Sequence, residues 1–136
     1  MKRLLSTSYT ETSFNLATFL LRCCFAFLIC LNHGVPKLAH FGEWQHNFYN
    51  FLHLGQPLSL ILSIFAEVFC AMLLVLGIFS RLVAFVLVVD TFVAAFIFHH
   101  GQPIKNFEDA LIFFTGFLLI VLVGPGKWSV DGMTGR

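Results

Sequence analysis

The stretch FNLATFLLRCCFAFLICLNHGVP, residues 14–36, decides the fold. Its one formal charge, Arg22, sits near the middle, and apolar side chains fall on every helical face. A helix apolar all round cannot lie on a soluble surface, and a run of about 20 such residues crosses the hydrocarbon core of a bilayer. Lys2 and Arg3 fit the charged start of a secretory signal. However, the run is long, holds Arg22, and is followed by His33-Gly34-Val35-Pro36-Lys37 with no small-x-small cleavage site. Arg22-Cys23-Cys24 also lacks the small residues of a lipoprotein site. The segment reads as a retained transmembrane helix.

Outward from it, three further apolar runs follow at 58–79, 82–99 and 109–123. The last is short for a span and calls for local thinning of the bilayer or help from Phe107. Composition agrees: of 136 residues, 58% are hydrophobic and 11% charged, whereas a soluble domain carries about 25% charged residues. The expected fold is therefore all-α, an integral membrane four-helix bundle forming a single domain over residues 1–136. A net charge of +1 gives no basic surface for nucleic acid. The bilayer itself is the first partner.

The connections have distinct chemistry. Gly77-Ile78-Phe79-Ser80-Arg81 reads as a tight helical hairpin, with Ser80 able to cap the helix that follows. Asn106-Phe107-Glu108-Asp109 reads as a helix start capped by Asn106, and Gly124-Pro125-Gly126 as a helix stop. Between the first two spans, Phe41, Trp44, Phe48, Phe51 and Leu52 recur at helical spacing against polar neighbours. That pattern predicts a short amphipathic helix at headgroup level, anchored by Trp44 and Tyr49. Lys2, Arg3, Arg81, Lys127 and Arg136 fall on one side of the bundle, Lys37 and Lys105 on the other. The imbalance places both termini in the cytoplasm.

Ionisable groups within the spans are the informative residues, because each costs roughly 2.5–3.5 kcal/mol at mid-helix. Arg22, Glu67 and Asp90 lie on the first, second and third helices, at depths that let one arginine length join them. They read either as a polar staple fixing helix register or as the lining of a pocket or proton route, with Glu67 the candidate for proton exchange. One basic and two acidic groups are unmatched, which suits function better than a staple. At the outer mouth, His33 and Lys37 share the Arg22 face of the first helix, and His99, His100 and Glu108 come from the loop between helices three and four. Singly these are ordinary interfacial groups, with Lys37 free to snorkel toward headgroups. Cys23, Cys24, Cys30 and Cys70 form no C-x-x-C pair and read as small apolar fillers. No His-x-x-x-His spacing occurs in a span, so no metal site is assigned.

Several short motifs in order resemble the DoxX family. They are Leu20-Leu21-Arg22, His33-Gly34-Val35-Pro36-Lys37-Leu38, Phe65-Ala66-Glu67-Val68, Leu76-Gly77-Ile78-Phe79-Ser80-Arg81-Leu82 and Gly124-Pro125-Gly126-Lys127-Trp128-Ser129-Val130-Asp131. The resemblance runs over nearly the whole chain and implies a multi-pass protein of the bacterial inner membrane. By similarity, Arg22, His33, Lys37, Glu67 and Arg81 fall on recurring polar positions of that family, and Glu108 resembles its acidic residue before the last helix. Asp90 departs from it, since that position is usually apolar. The family takes its name from relatives of a small membrane subunit in thiosulfate:quinone oxidoreductase. Other relatives partner thiol-handling proteins or assist receptor assembly.

The resulting expectation is a membrane subunit of an oxidoreductase system, quinone- or thiol-linked, with a polar intramembrane site. The ligand-binding residues are Arg22, His33, Lys37, Glu67, Asp90, His99 and Glu108. No cofactor is expected to be intrinsic, since haem-type histidine pairs and nucleotide motifs are missing from the sequence; the cofactor implied is a quinone. A membrane or periplasmic protein would then be the partner, with homo-oligomerisation open. The alternatives are a non-catalytic scaffold or assembly factor docking through the Trp44 loop, and a small-solute or proton conduit.

Overall fold

A computed structural model describes residues 8–135, which form helices and connecting turns with no strand among them. Three helices are long and apolar enough to cross a membrane: α1 (Glu11–Ala39), α3 (Gln56–Leu76) and α4 (Ser80–Phe98). A one-turn α2 (Phe41–Trp44) lies between the first two; α5 (Glu108–Val123) and a short α6 (Val130–Thr134) complete the order. The fold is thus a helical membrane protein. At 16 residues, α5 is the shortest of the four bundle helices. The side count of charges that oriented the chain includes Lys2, Arg3 and Arg136, which lie outside the described residues.

Successive long helices are neighbours. Helix α1 packs on the C-terminal half of α3 and on α5, while α4 packs on α3 and most extensively on α5. Small residues make these approaches possible: Ala26, Ala66, Ala71, Ala84 and Ala95 are all buried at the contacts. Between them Leu74, Leu87 and Phe117 are fully enclosed. The outer surface is the reverse of a soluble one, with Phe27, Leu82, Phe85, Ile112 and Leu122 more than half exposed. Those side chains belong against lipid tails.

Each of the three long helices contains a widened π turn: Cys30–Gly34 in α1, Phe65–Cys70 in α3 and Val93–Phe98 in α4. In α1 this turn explains why the helix runs past Pro36, where the sequence predicts its end. Proline lacks a donor and crowds the carbonyl one turn back, so it ends or kinks a regular helix. Here Val35 N–H reaches back five residues to the carbonyl of Cys30, and the widened turn accommodates the ring.

Three local expectations are corrected. The amphipathic loop helix is one turn only, Phe41–Trp44; the chain then leaves helical geometry, and Leu52 and His53 adopt positive φ. Asn106 does not cap α5, because Phe107 holds the capping position and the Asn106 amide bonds Gln102 instead, at 3.2 Å. Ser80 does not cap α4: its hydroxyl is buried without a partner among the described residues. The cap is supplied from α6, where the Asp131 carboxylate accepts from Phe79 N–H at 3.0 Å and Ser80 N–H at 2.7 Å. A carboxylate at a helix N-terminus satisfies orphan donors and complements the helix dipole.

Candidate functional site

The polar residues of the spans gather in two places rather than one. Side chains on a helix lean toward its N-terminus. From α1, Arg22 therefore points toward the Lys127 end of the bundle, and Lys37 points back from the loop end into it. Glu67, on the antiparallel α3, leans toward Lys37.

The first centre lies at the loop end. Lys37 Nζ is 2.6 Å from Glu67 Oε1 and donates to Ser63 Oγ at 2.8 Å. Both partners are buried, and the lysine side chain is 15% exposed. The Phe48 ring covers the ammonium, 5.6 Å from its centroid. Lys37 does not snorkel outward, because a carboxylate inside the bundle offers a stronger partner than the headgroups. Asp90, on α4, comes within hydrogen-bonding reach of Glu67 and Ser63. Cys30 and Cys70 lie in the field of the same carboxyls. Glu67 Oε2 takes no hydrogen bond from Lys37 or Ser63.

Backbone geometry makes this centre. Glu67 sits within the π turn of α3, facing the π turn of α1. There the helices cross at Gly34, where a Cβ would lie 3.0 Å from the carbonyl of Glu67 and 2.7 Å from Val68 Cγ2. One turn further on, Lys37 meets the Glu67 side chain. Replacing Gly34 by leucine is expected to wedge the crossing open, at a cost of about 1–3 kcal/mol. Thermal unfolding in detergent measures it, and an unchanged midpoint would show that the crossing is not tight.

Serine residues complete the centre, and sequence reasoning missed them. Ser59, Ser63 and Glu67 repeat every four residues and are all buried on one face of α3. Ser59 Oγ accepts from Phe51 N–H at 2.9 Å, tying the loop to the top of this stripe. The spacing of four was the available signal.

The second centre is at the opposite end. Arg22 is 1% exposed, and its Nη2 donates to the carbonyl of Trp128 at 2.8 Å, while Nε and Nη1 are buried without a hydrogen-bond partner among the described residues. The Gly124-to-Asp131 segment folds beneath the bundle, with Lys127 N–H donating to Asn15 Oδ1 at 2.8 Å and Asp131 N–H to the carbonyl of Gly77 at 2.9 Å. Arg22 thus belongs to a clamp joining α1, the α3–α4 hairpin and the C-terminal segment. The predicted meeting of its guanidinium with Glu67 and Asp90 does not occur.

The other predicted ligands separate too. His33 packs edge-on against Phe113, 5.5 Å between centroids, in a groove of about 490 Å³ between α1 and α5 lined also by Phe25, Asn32 and Asp109. Its imidazole lies in the fields of Lys37 and Asp109. Glu108 is exposed and outside this groove; its neighbour Asp109 lines it instead. His99 Nδ1 is 2.6 Å from the carbonyl of Ala94, and its ring stacks on Phe107, so it finishes α4 rather than joining a site. Arg81 is exposed at the clamp end, beside Gly124. Among the described residues no group of three His, Cys, Asp or Glu is arranged to hold a metal.

Chemically, the loop-end centre offers a fixed, largely buried ammonium, a hydroxyl and two neighbouring carboxyls. Such a set can orient a polar headgroup and give or take a proton. The family model described as DoxX matches residues 17–100. The inner membrane protein YphA of Escherichia coli (strain K12) is 33% identical over 117 residues, covering 76% of this chain and 81% of that protein. No solved structure matches the chain.

Proposed function

The chain belongs to the DoxX family and sits in the bacterial inner membrane, and from that premise we propose that it is the membrane subunit of an oxidoreductase system that handles a quinone. In this reading α5 is the fourth span, both termini face the cytoplasm, and the loop end faces outward. The observation that carries the reading is the 2.6 Å Lys37–Glu67 pair, buried beside Asp90 with one Glu67 oxygen left unbonded by Lys37 and Ser63. A buried pair costs more to desolvate than a hydrophobic isostere, so its presence supports a use beyond packing.

The donor set fits a quinone headgroup. Lys37 and Ser63 present N–H and O–H donors suited to a ring oxygen, and the Phe25 and Phe113 walls of the His33 groove suit a flat ring arriving from lipid. A bound quinone would supply two-electron chemistry coupled to protons, with electrons delivered by a membrane or periplasmic partner protein. This chain's part is to hold a ring oxygen through His33 or Lys37, exclude water with Phe113 or Phe48, and move protons at the Glu67 and Asp90 carboxyls.

Purified protein in lipid nanodiscs is expected to bind menaquinone saturably. Glu67→Gln or His33→Ala should weaken binding at least roughly tenfold, the loss of one well-placed hydrogen bond to a charged or buried group. Absence of saturable binding to the wild-type chain would remove the quinone reading and leave the scaffold or assembly role.

A further inference from the structure

We propose that the Glu67–Asp90 carboxyl pair exchanges its proton with water at the loop end of the bundle only, and that Arg22 bars protons from the opposite end. The inference rests on the proton-exchange role given above to this pair, and not on any quinone.

Charge and geometry place a proton at the pair. Two carboxyls and one ammonium meet here, and Glu67 Oε2 receives no hydrogen bond from Lys37 or Ser63. Asp90 lies within hydrogen-bonding reach of the Glu67 carboxyl. Two carboxyl oxygens can share a hydrogen bond only through a proton, because a carboxylate is an acceptor alone. The titratable and charged groups around the pair are Lys37 and Cys30 from α1 and Cys70 from α3. Of the α5 acids, Asp109 faces His33 and Glu108 is exposed.

Access is unequal at the two ends. Toward the loop, the pair is one hydrogen bond from Lys37 and Ser63, and the partly exposed lysine side chain reaches the surface beneath the Phe48 ring. A small displacement of that ring lets water to the ammonium and the Ser63 hydroxyl. Toward the clamp, a dry layer intervenes: Ala26, Ala71, Leu74, Ala84, Leu87 and Phe117 are each fully buried. Beyond that layer lies the buried Arg22 guanidinium, which makes no hydrogen bond to a carboxylate among the described residues. A fixed cation in a low-dielectric passage repels hydronium, as arginine does in water-selective pores. Two of the Arg22 guanidinium nitrogens have no hydrogen-bond partner among the described residues, a liability for packing that a barrier role would explain. The step itself forms one O–H bond on the pair and breaks one on hydronium, and reverses on release.

The test uses the full chain in sealed, quinone-free vesicles of uniform orientation, with the infrared C=O band of protonated carboxyls followed after a pH jump on one face. The band is assigned by its loss in Glu67→Gln and Asp90→Asn. It is expected to respond at once to a jump on the Trp44 face, and to a jump on the Lys127 face only once a protonophore is added. Arg22→Met should make the Lys127 face responsive without protonophore. Equal response from both faces in the wild type, response from the Lys127 face alone, or no band removed by either carboxyl variant overturns the proposal. Should Arg22→Met fail to accumulate, the wild-type comparison still decides. Because no quinone is present, failed menaquinone binding leaves this result standing, and the reverse holds too.

Discussion

Lys37→Met is expected to destabilise the bundle by about 3–5 kcal/mol, the cost of removing one member of a buried ion pair. The loss is large because what remains is worse than what is removed. Methionine fills the lysine's volume, so packing changes little. Glu67 and Asp90 would then face each other without the ammonium that lies 2.6 Å from Glu67. Ser63 would lose its donor as well. The double variant Lys37→Met with Glu67→Gln should regain part of the stability, since one carboxyl rather than two, that of Asp90, then remains without the ammonium. Denaturant or thermal unfolding in one detergent, read on both variants, gives the coupling. A Lys37→Met protein as stable as wild type would mean that the pair is exposed or unformed in the membrane.

The spans were legible because lipid leaves few choices. Residues 14–36, 58–79, 82–99 and 109–123 have no water-compatible face, and helices α1, α3, α4 and α5 take up most of each run, with α3 ending at Leu76 and α4 at Phe98. Their ends were less legible. Pro36 reads as a stop, and only a π turn at Cys30–Gly34, which no residue pattern announces, carries α1 to Ala39. The capping of α4 was invisible for another reason: Asp131 lies 51 residues from Ser80, and tertiary contact chose it over the adjacent serine hydroxyl.

The site was legible as a set of charged residues but not as a set of contacts. Depth along the helix axis put Arg22 within one side-chain length of Glu67, and depth alone was insufficient. The N-terminal lean of helical side chains sends Arg22 away from Glu67 and brings Lys37 toward it. Applied to the sequence, that rule separates the two centres without coordinates. It also predicts that Lys37, near an outer helix end, turns inward once a carboxylate lies on the facing helix. His33 and Glu108 were grouped because they share one membrane face, yet α5 presents Asp109 to the His33 groove and turns Glu108 to the outside.

Gly77→Val is expected to do as much damage from the other end of the molecule. Gly77 closes α3 with φ of +75°, its N–H and that of Ile78 both returning to the carbonyl of Leu73 at 2.9 and 3.0 Å. A left-handed backbone costs a non-glycine residue about 1–2 kcal/mol, and a β-branched side chain more. Steric collision adds a greater cost. A Cβ at this position would run into Arg22 Nη1 and Ser129 Cβ. Neither can yield freely, since Arg22 is tied to Trp128 and Ser129 Oγ to both Gly126 and Gly132. Together the strain and collision are expected to exceed about 4 kcal/mol, the range reserved for broken special backbone positions and buried networks. Relief would require the C-terminal segment to leave, freeing the Lys127 backbone from Asn15 and uncapping α4. Limited trypsin digestion should therefore cut after Lys127 far faster in Gly77→Val than in wild type, with Gly77→Ala between them. A Gly77→Val protein with the wild-type melting midpoint and the wild-type cleavage rate would show that the clamp does not hold α1, the α3–α4 hairpin and the C-terminal segment together. In that case the buried cation at Arg22 would lose the enclosure on which its role as a barrier depends.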